Sequence, residues 1–236
     1  MIVKRFMPYS ILILILLLSG CMYPKDKLAE NQIPYLDQLQ SVQTAVDQFA
    51  ETSGGLLPIK TRESETPLFI KYPIEFKKLV PQYMADAPGN AFENGGVYQY
   101  VLIDVEENPE VKVVDLRMAE KIREIKMRIQ SQGYPPFKEK IADNVYSIDF
   151  ERLGYKTDPT VLSSYTNSRL PFVITGDGEL FVDYIIDLTQ QLQKESYELK
   201  EGEDIRHILY ESSPVVPAYS LPYTIDENGE PIYMAK

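Results

Sequence analysis

Apolar residues fall at steps of three, three, four and three in YLDQLQSVQTAVDQFAETSGG: Leu36, Leu39, Val42, Val46 and Phe49. That spacing puts one stripe along a helix, and Gly54-Gly55 stops it. A second helix is predicted in DLRMAEKIREIKMRIQSQG, with Leu116, Ala119, Ile122, Ile125 and Ile129 on one face and Gly133 at its end. A third, DLTQQLQKESYELK, puts Asp187 at the N-cap and Gln190 where it completes a capping box. Between the helices, GGVYQYVLIDV, LPFVIT and ELFVDYII are rich in β-branched and aromatic residues, as strands are. PFVIT-GDG-ELFVDYII reads as a hairpin, with Gly176 and Gly178 expected to supply positive φ in the turn. The predicted class is α+β, with helices alternating with small antiparallel sheets.

The same pattern occurs twice. YVLIDVEENPEVKVVDL (100–116) aligns without gaps on FVITGDGELFVDYIIDL (172–188), and each copy ends in two β-branched residues followed by Asp-Leu. Upstream, YPIEFKKL (72–79) matches YSIDFERL (146–153), and GLLP (55–58) echoes GYPP (133–136). Three echoes in one order predict a tandem duplication, each unit running helix, Gly-Pro exit, Ile-acid-Phe turn and small sheet. The first unit is drawn at 35–111 and the second at 112–200, with a Pro- and Tyr-rich tail at 201–236. Pro214, Pro217 and Pro222 favour extended backbone in that tail, and Asn228-Gly229 marks a turn. The tail is expected to cover a sheet edge, with docking of another envelope protein as its alternative use.

The N-terminus breaks the pattern. Lys4 and Arg5 precede eight unbroken aliphatics, Ile11 to Leu18, and then Ser19, Gly20 and Cys21. A positive start, a short apolar run and a small-residue exit describe a secretory signal, and the run is shorter than the ~20 residues a spanning helix needs. Leu18-Ser19-Gly20-Cys21 resembles the lipobox of bacterial lipoproteins. That resemblance implies cleavage after Gly20 and a thioether-linked diacylglyceryl group on Cys21. It also implies attachment to the outer face of the cell membrane. Residues 1–20 are then the signal peptide and 21–34 a polar tether.

Composition narrows the chemistry. With 44% hydrophobic and 25% charged residues, the 236-residue chain is globular in class. Its net charge is −11, which disfavours nucleic acid as a partner. Cys21 is the sole cysteine and His207 the sole histidine, so no disulfide and no nitrogen- or sulfur-ligated zinc site is expected. No Gly-x-Ser-x-Gly elbow and no glycine-rich phosphate loop occurs. Carboxylates cluster at 104–110, 176–179, 201–204 and 226–230 without the acid spacing of a calcium loop, and read as solvated turns. Neither a cofactor nor an enzymatic activity is expected. The leading expectation is a non-catalytic interaction or assembly module of the envelope; the alternative is a small-molecule or calcium-binding lipoprotein with its site between the two units.

Two further resemblances bear on fold. Residues 35–104, from Gly55-Leu56-Leu57-Pro58 through Phe76-Lys77-Lys78-Leu79 to Gly96-Val97-Tyr98-Gln99-Tyr100, resemble the globular part of type II secretion pseudopilins. There a helix packs on such a sheet, but those proteins keep the apolar helix that is expected to be cleaved here. The stretches NQIPYLDQLQSVQTAVDQ, AFENGGVYQYVLIDVE and GYPPF, together with the lipobox, resemble the YphF-type lipoproteins of Bacillus. That resemblance implies location and fold and leaves the activity open.

Overall fold

A computed structural model describes residues 36–60 and 62–234. The expected signal peptide and tether, with the expected lipobox residues Leu18, Ser19, Gly20 and Cys21, lie outside the described residues. The elements in chain order are α1 (Leu36–Thr52), α2 (Phe76–Leu79), β1 (Tyr98–Ile103), β2 (Glu110–Asp115) and α3 (Leu116–Gln132). They continue with β3 (Phe137–Ala142), β4 (Val145–Ile148), β5 (Val161–Leu162), β6 (Arg169–Leu170), β7 (Phe172–Thr175) and β8 (Leu180–Val182). The chain closes with α4 (Ile185–Lys194), α5 (His207–Tyr210), β9 (Tyr223–Ile225) and β10 (Pro231–Tyr233). All the sheets are antiparallel: β1-β2, β5-β6, β9-β10 and the four-stranded β3-β4-β7-β8. The class is α+β.

The helical periodicity is realised as packing. Leu39, Val42, Ala45 and Val46 turn inward from α1 and meet Tyr98, Tyr100 and Leu102 of β1, with Val111 and Val113 of β2. The other face of the same hairpin, Val101, Ile103 and Val114, is buried too, against Phe69, Val216 and Ala218. A second core gathers Met118, Ile122, Ile125 and Ile129 of α3 over Val145, Ile148, Phe172, Ile174, Leu180 and Val182. Asp115 caps α3 by accepting from Arg117 N at 3.0 Å, and Gly133 ends it at φ 93°.

Corresponding backbone bonds occur in both halves. Glu75 N donates to Pro58 O at 2.7 Å, and Asp149 N donates to Pro136 O at 2.8 Å. Leu102 N donates to Tyr72 O, and Tyr146 pairs with Ile174 in the second sheet. Ile74, Phe76 and Leu79 are buried after the first exit, as are Ile148, Phe150 and Leu153 after the second.

Three expectations need correction. The third helix is Ile185–Lys194, so Asp187 lies inside its first turn and is buried, not an N-cap. Asp183 Oδ1 instead accepts from Ile185 N, and Gln190 donates to Ser168 Oγ rather than back to a cap. Ile185 and Ile186, read as strand, belong to this helix; β-branched character alone does not separate a short strand from a buried helix start. In the β7-β8 turn only Gly178 takes positive φ, at 86°. Gly176 is there for space: a Cβ on it would stand 2.5 Å from Asn144 Oδ1, the atom that accepts from Gly176 N.

The tail runs along two sheet edges. Val113 N donates to Pro214 O and Val216 N to Val113 O, adding a parallel bridge to β2. Val182 N of β8 donates to Tyr219 O. Unsatisfied edge groups are costly and invite pairing with other chains, and the tail satisfies them on both hairpins. Beyond it, Leu221, Tyr223 and Tyr233 enter the second core, and the β9-β10 turn uses Gly229 at φ 78°.

Candidate functional site

A cleft of about 790 Å³ lies between α1 on one side and the β1-β2 turn with residues 211–214 on the other. Its floor is apolar: Leu39 and Val46 from α1, Leu57, and Val111 from β2. Leu36, 72% exposed, stands at its mouth. The helix brings Leu36, Leu39, Gln43, Val46, Asp47 and Ala50 to this side because they recur at helical spacing.

Two polar side chains hold the walls together. Gln43 Oε1 accepts from Val111 N at 2.8 Å, while Gln43 Nε2 donates to Pro109 O at 3.0 Å and to Asp47 Oδ1 at 2.9 Å. The Lys112 side chain is only 5% exposed, and its Nζ lies 2.8 Å from Glu110 Oε1. The same ammonium donates to Tyr210 O at 2.8 Å and Ser213 O at 3.1 Å. A buried ammonium demands such partners, since desolvation without them costs several kcal/mol. Both side chains are therefore committed to the scaffold. What remains open is Leu36 at the mouth, the rim carboxylates Asp47, Glu110 and Glu211, and the side chains of Gln40, Asn108 and Ser212, over a floor whose residues are largely buried.

A second group of carboxylates sits at the start of α4. Asp187 Oδ2 accepts from Ser163 Oγ at 2.8 Å and Oδ1 from Thr166 Oγ1 at 2.5 Å. Asp183 Oδ1 accepts from Ile185 N at 3.0 Å and from Tyr223 Oη at 3.3 Å. Burial pushes both carboxyls above the usual carboxylate range, against the opposing pull of those donors. Asp187 and Ser163 are buried and Thr166 partly so, and the three serve the fold.

The other residues weighed for chemistry are accounted for locally. His207 Nδ1 is 3.1 Å from Asp204 O, and Nε2 is 3.9 Å from Glu211 Oε1. In the 226–230 turn, Asp226 Oδ1 accepts from Asn228 N and Glu230 N, an Asx turn closing a hairpin. Among the described residues no three His, Cys, Asp or Glu side chains gather as metal ligands, and no helix is long and apolar enough to cross a membrane.

Sequence reasoning named neither Gln43 nor Lys112. The one available signal was Lys112 itself, a charged residue inside EVKVVD, where every neighbour from Val111 to Val114 is apolar. Such a lysine on a buried strand needs acceptors from elsewhere in the chain.

By fold this is an α+β protein whose α1-β1-β2 portion carries an open, apolar-floored cleft closed on one side by the tail. Residues 35–115 match the model of the YphF family N-terminal domain. The match ends at Asp115, the residue that caps α3. No curated protein and no solved structure matches the chain.

Proposed function

We propose that the chain is a lipid-tethered, non-catalytic interaction module on the extracytoplasmic face of the cell membrane, anchored through Cys21. The tether reading rests on Leu18-Ser19-Gly20-Cys21 behind a short apolar run. Two or three acyl chains at ~0.8 kcal/mol per buried methylene hold a protein stably where one does not. Fourteen residues lie between Cys21 and Leu36, a reach of at most roughly 50 Å at ~3.3–3.6 Å per residue, so the domain stays close to the bilayer.

The observation that carries the interaction reading is the cleft. Gln43 and Lys112, the polar groups at its back, are consumed in joining α1, β2 and the tail, and no reactive set points into it. An open apolar floor between rigid walls suits a partner's side chains. The matched bonds at Pro58 and Pro136, and at Tyr72 and Tyr146, support a reading of the chain as two similar units, the first of which bears the cleft.

Site-specific photocrosslinking in native membranes tests the module. A photoreactive residue replacing Gln40 at the cleft should give a discrete adduct that the same residue at Lys156 does not. Equal, diffuse labelling from both positions counts against it. The second reading, a small-molecule lipoprotein, is favoured by the cleft's volume, which lies in the range of small-ligand sites. Thermal stabilisation of the purified chain by one member of a metabolite collection, lost in Gln40→Ala, would support it.

A further inference from the structure

We infer that the cleft along α1 takes a cationic amphipathic peptide segment of a partner protein, with apolar side chains on the floor and lysines or arginines against the rim; this rests on the interaction reading above. Three observations converge. The first is the division of the surface: the apolar floor, formed by the largely buried Leu39, Val46 and Val111 with Leu57, continues into the exposed Leu36 at the mouth, whereas Asp47, Glu110 and Glu211 stand around it. Glu110 and Glu211 side chains are 49% and 58% exposed, so they meet a ligand at the rim without first being buried.

Charge is the second observation. The lining has one cation, Lys112, already surrounded by Glu110, Tyr210 O and Ser213 O. The adjoining turn adds Asp104, Glu106 and Glu107. Anionic ligands are therefore repelled and cations attracted from one side, which fixes the orientation of a bound segment and speeds its encounter. At physiological salt the Debye length is about 8 Å, so this local set outweighs the distant charge of the chain.

The third is the elongated shape of the lining. A small polar metabolite is held by a few hydrogen-bonding groups aimed at one point. Here Gln43 spends its amide on Val111, Pro109 and Asp47, so recognition falls to the apolar area, the carboxylates and the side chains of Gln40, Asn108 and Ser212. Residues Leu36, Leu39, Gln43, Val46 and Ala50 extend the floor over the length of α1, matching a peptide rather than a compact ligand.

The full chain, extracted from membranes and held in nanodiscs of zwitterionic lipid, is titrated with a fluorescent 14-residue Leu/Lys amphipathic peptide; empty nanodiscs serve as the blank. Binding should weaken about tenfold in Leu36→Asp and in Glu211→Lys, both at exposed positions, and weaken with added salt. Leu68→Asp, 54% exposed and outside the cleft, should leave it unchanged. Leu/Glu and Ser/Lys peptides of the same length should not bind. Binding that ignores Leu36→Asp and Glu211→Lys, or that the Leu/Glu peptide reproduces, overturns the inference. If crosslinking from Gln40 captures a partner while the Leu/Lys peptide fails, the module stands and the ligand chemistry assigned here is wrong.

Discussion

The two junctions between hairpin and helix handle buried carboxylates in opposite ways. At the first, Asp115 is 2% exposed and meets the Arg117 guanidinium through Nε at 2.9 and 3.0 Å and Nη2 at 2.6 Å, besides capping α3. The second buries Asp187 and encloses most of Asp183, and neither touches a cation; hydroxyls and one backbone amide are their donors. A carboxylate bound to a guanidinium keeps its charge at little cost, whereas one held by neutral donors is easier to bury protonated. The Arg117 pair raises the guanidinium's own pKa, while at α4 burial raises both carboxyls. The two carboxyls at α4 thus tie this part of the fold's stability to pH.

The largest effects should come from the matched core positions Leu102 and Ile174, each fully buried on the first strand of its hairpin. Leu102→Ala and Ile174→Ala should each cost about 2–5 kcal/mol in urea unfolding, the usual range for such truncations. A large cost in only one would show that the halves do not carry equal parts of the stability. Because the tail is bonded to both β2 and β8, either change should shift a single transition rather than split it.

Lys112→Met comes next. It keeps most of the apolar volume but leaves Tyr210 O and Ser213 O without their donor, at a cost of about 1–3 kcal/mol. Hydrogen exchange should then rise at Val113 and Val216, whose amides join β2 to the tail. Unchanged exchange there would mean that the strand bridge alone holds the tail.

The pH contrast is smaller and sharper. With folded-state pKa values above their unfolded ones, Asp183 and Asp187 bind protons more tightly when the chain is folded. Their contribution is fully present below the ordinary carboxylate pKa and is lost as pH rises through the raised value. Thermal stability measured from pH 7 downward should therefore improve before general acid denaturation sets in. Asp187→Asn should flatten that rise while changing stability at pH 7 by about 1 kcal/mol or less. A steeper rise in the variant would contradict the assignment. Smallest of all, Arg206→Ala removes a guanidinium stacked 5.0 Å over Phe69 and bonded to Asp204 and Ser220. About 0.5–1 kcal/mol is expected, read as a lowered urea midpoint.

Much of the local structure was legible because it is encoded locally. The stripes of α1 and α3, the stop at Gly133 and the turn at Gly229 follow from residues within one or two helical turns or one hairpin. The start of α4 was misread for the same reason in reverse: Ile185 and Ile186 carry a strand signal, and Asp187-Leu188 copies the capping pair Asp115-Leu116. Only the second hairpin's shorter turn, which hands the amide-accepting place before the helix to Asp183, separates the two. The cleft was not legible at all. Gln43 finds Pro109 across 66 residues and Lys112 finds Tyr210 across 98, and no periodicity announces a contact at that range. The proposed lipid anchor, by contrast, rests on twelve consecutive residues from Ser10 to Cys21.

Intact mass of the chain extracted from membranes, native and as Cys21→Ala, tests the central claim most directly. The account predicts a chain beginning at residue 21 with the added mass of a diacylglyceryl group, and loss of both processing and added mass in the variant. An unmodified chain retaining residues 1–20 in the native protein would contradict it.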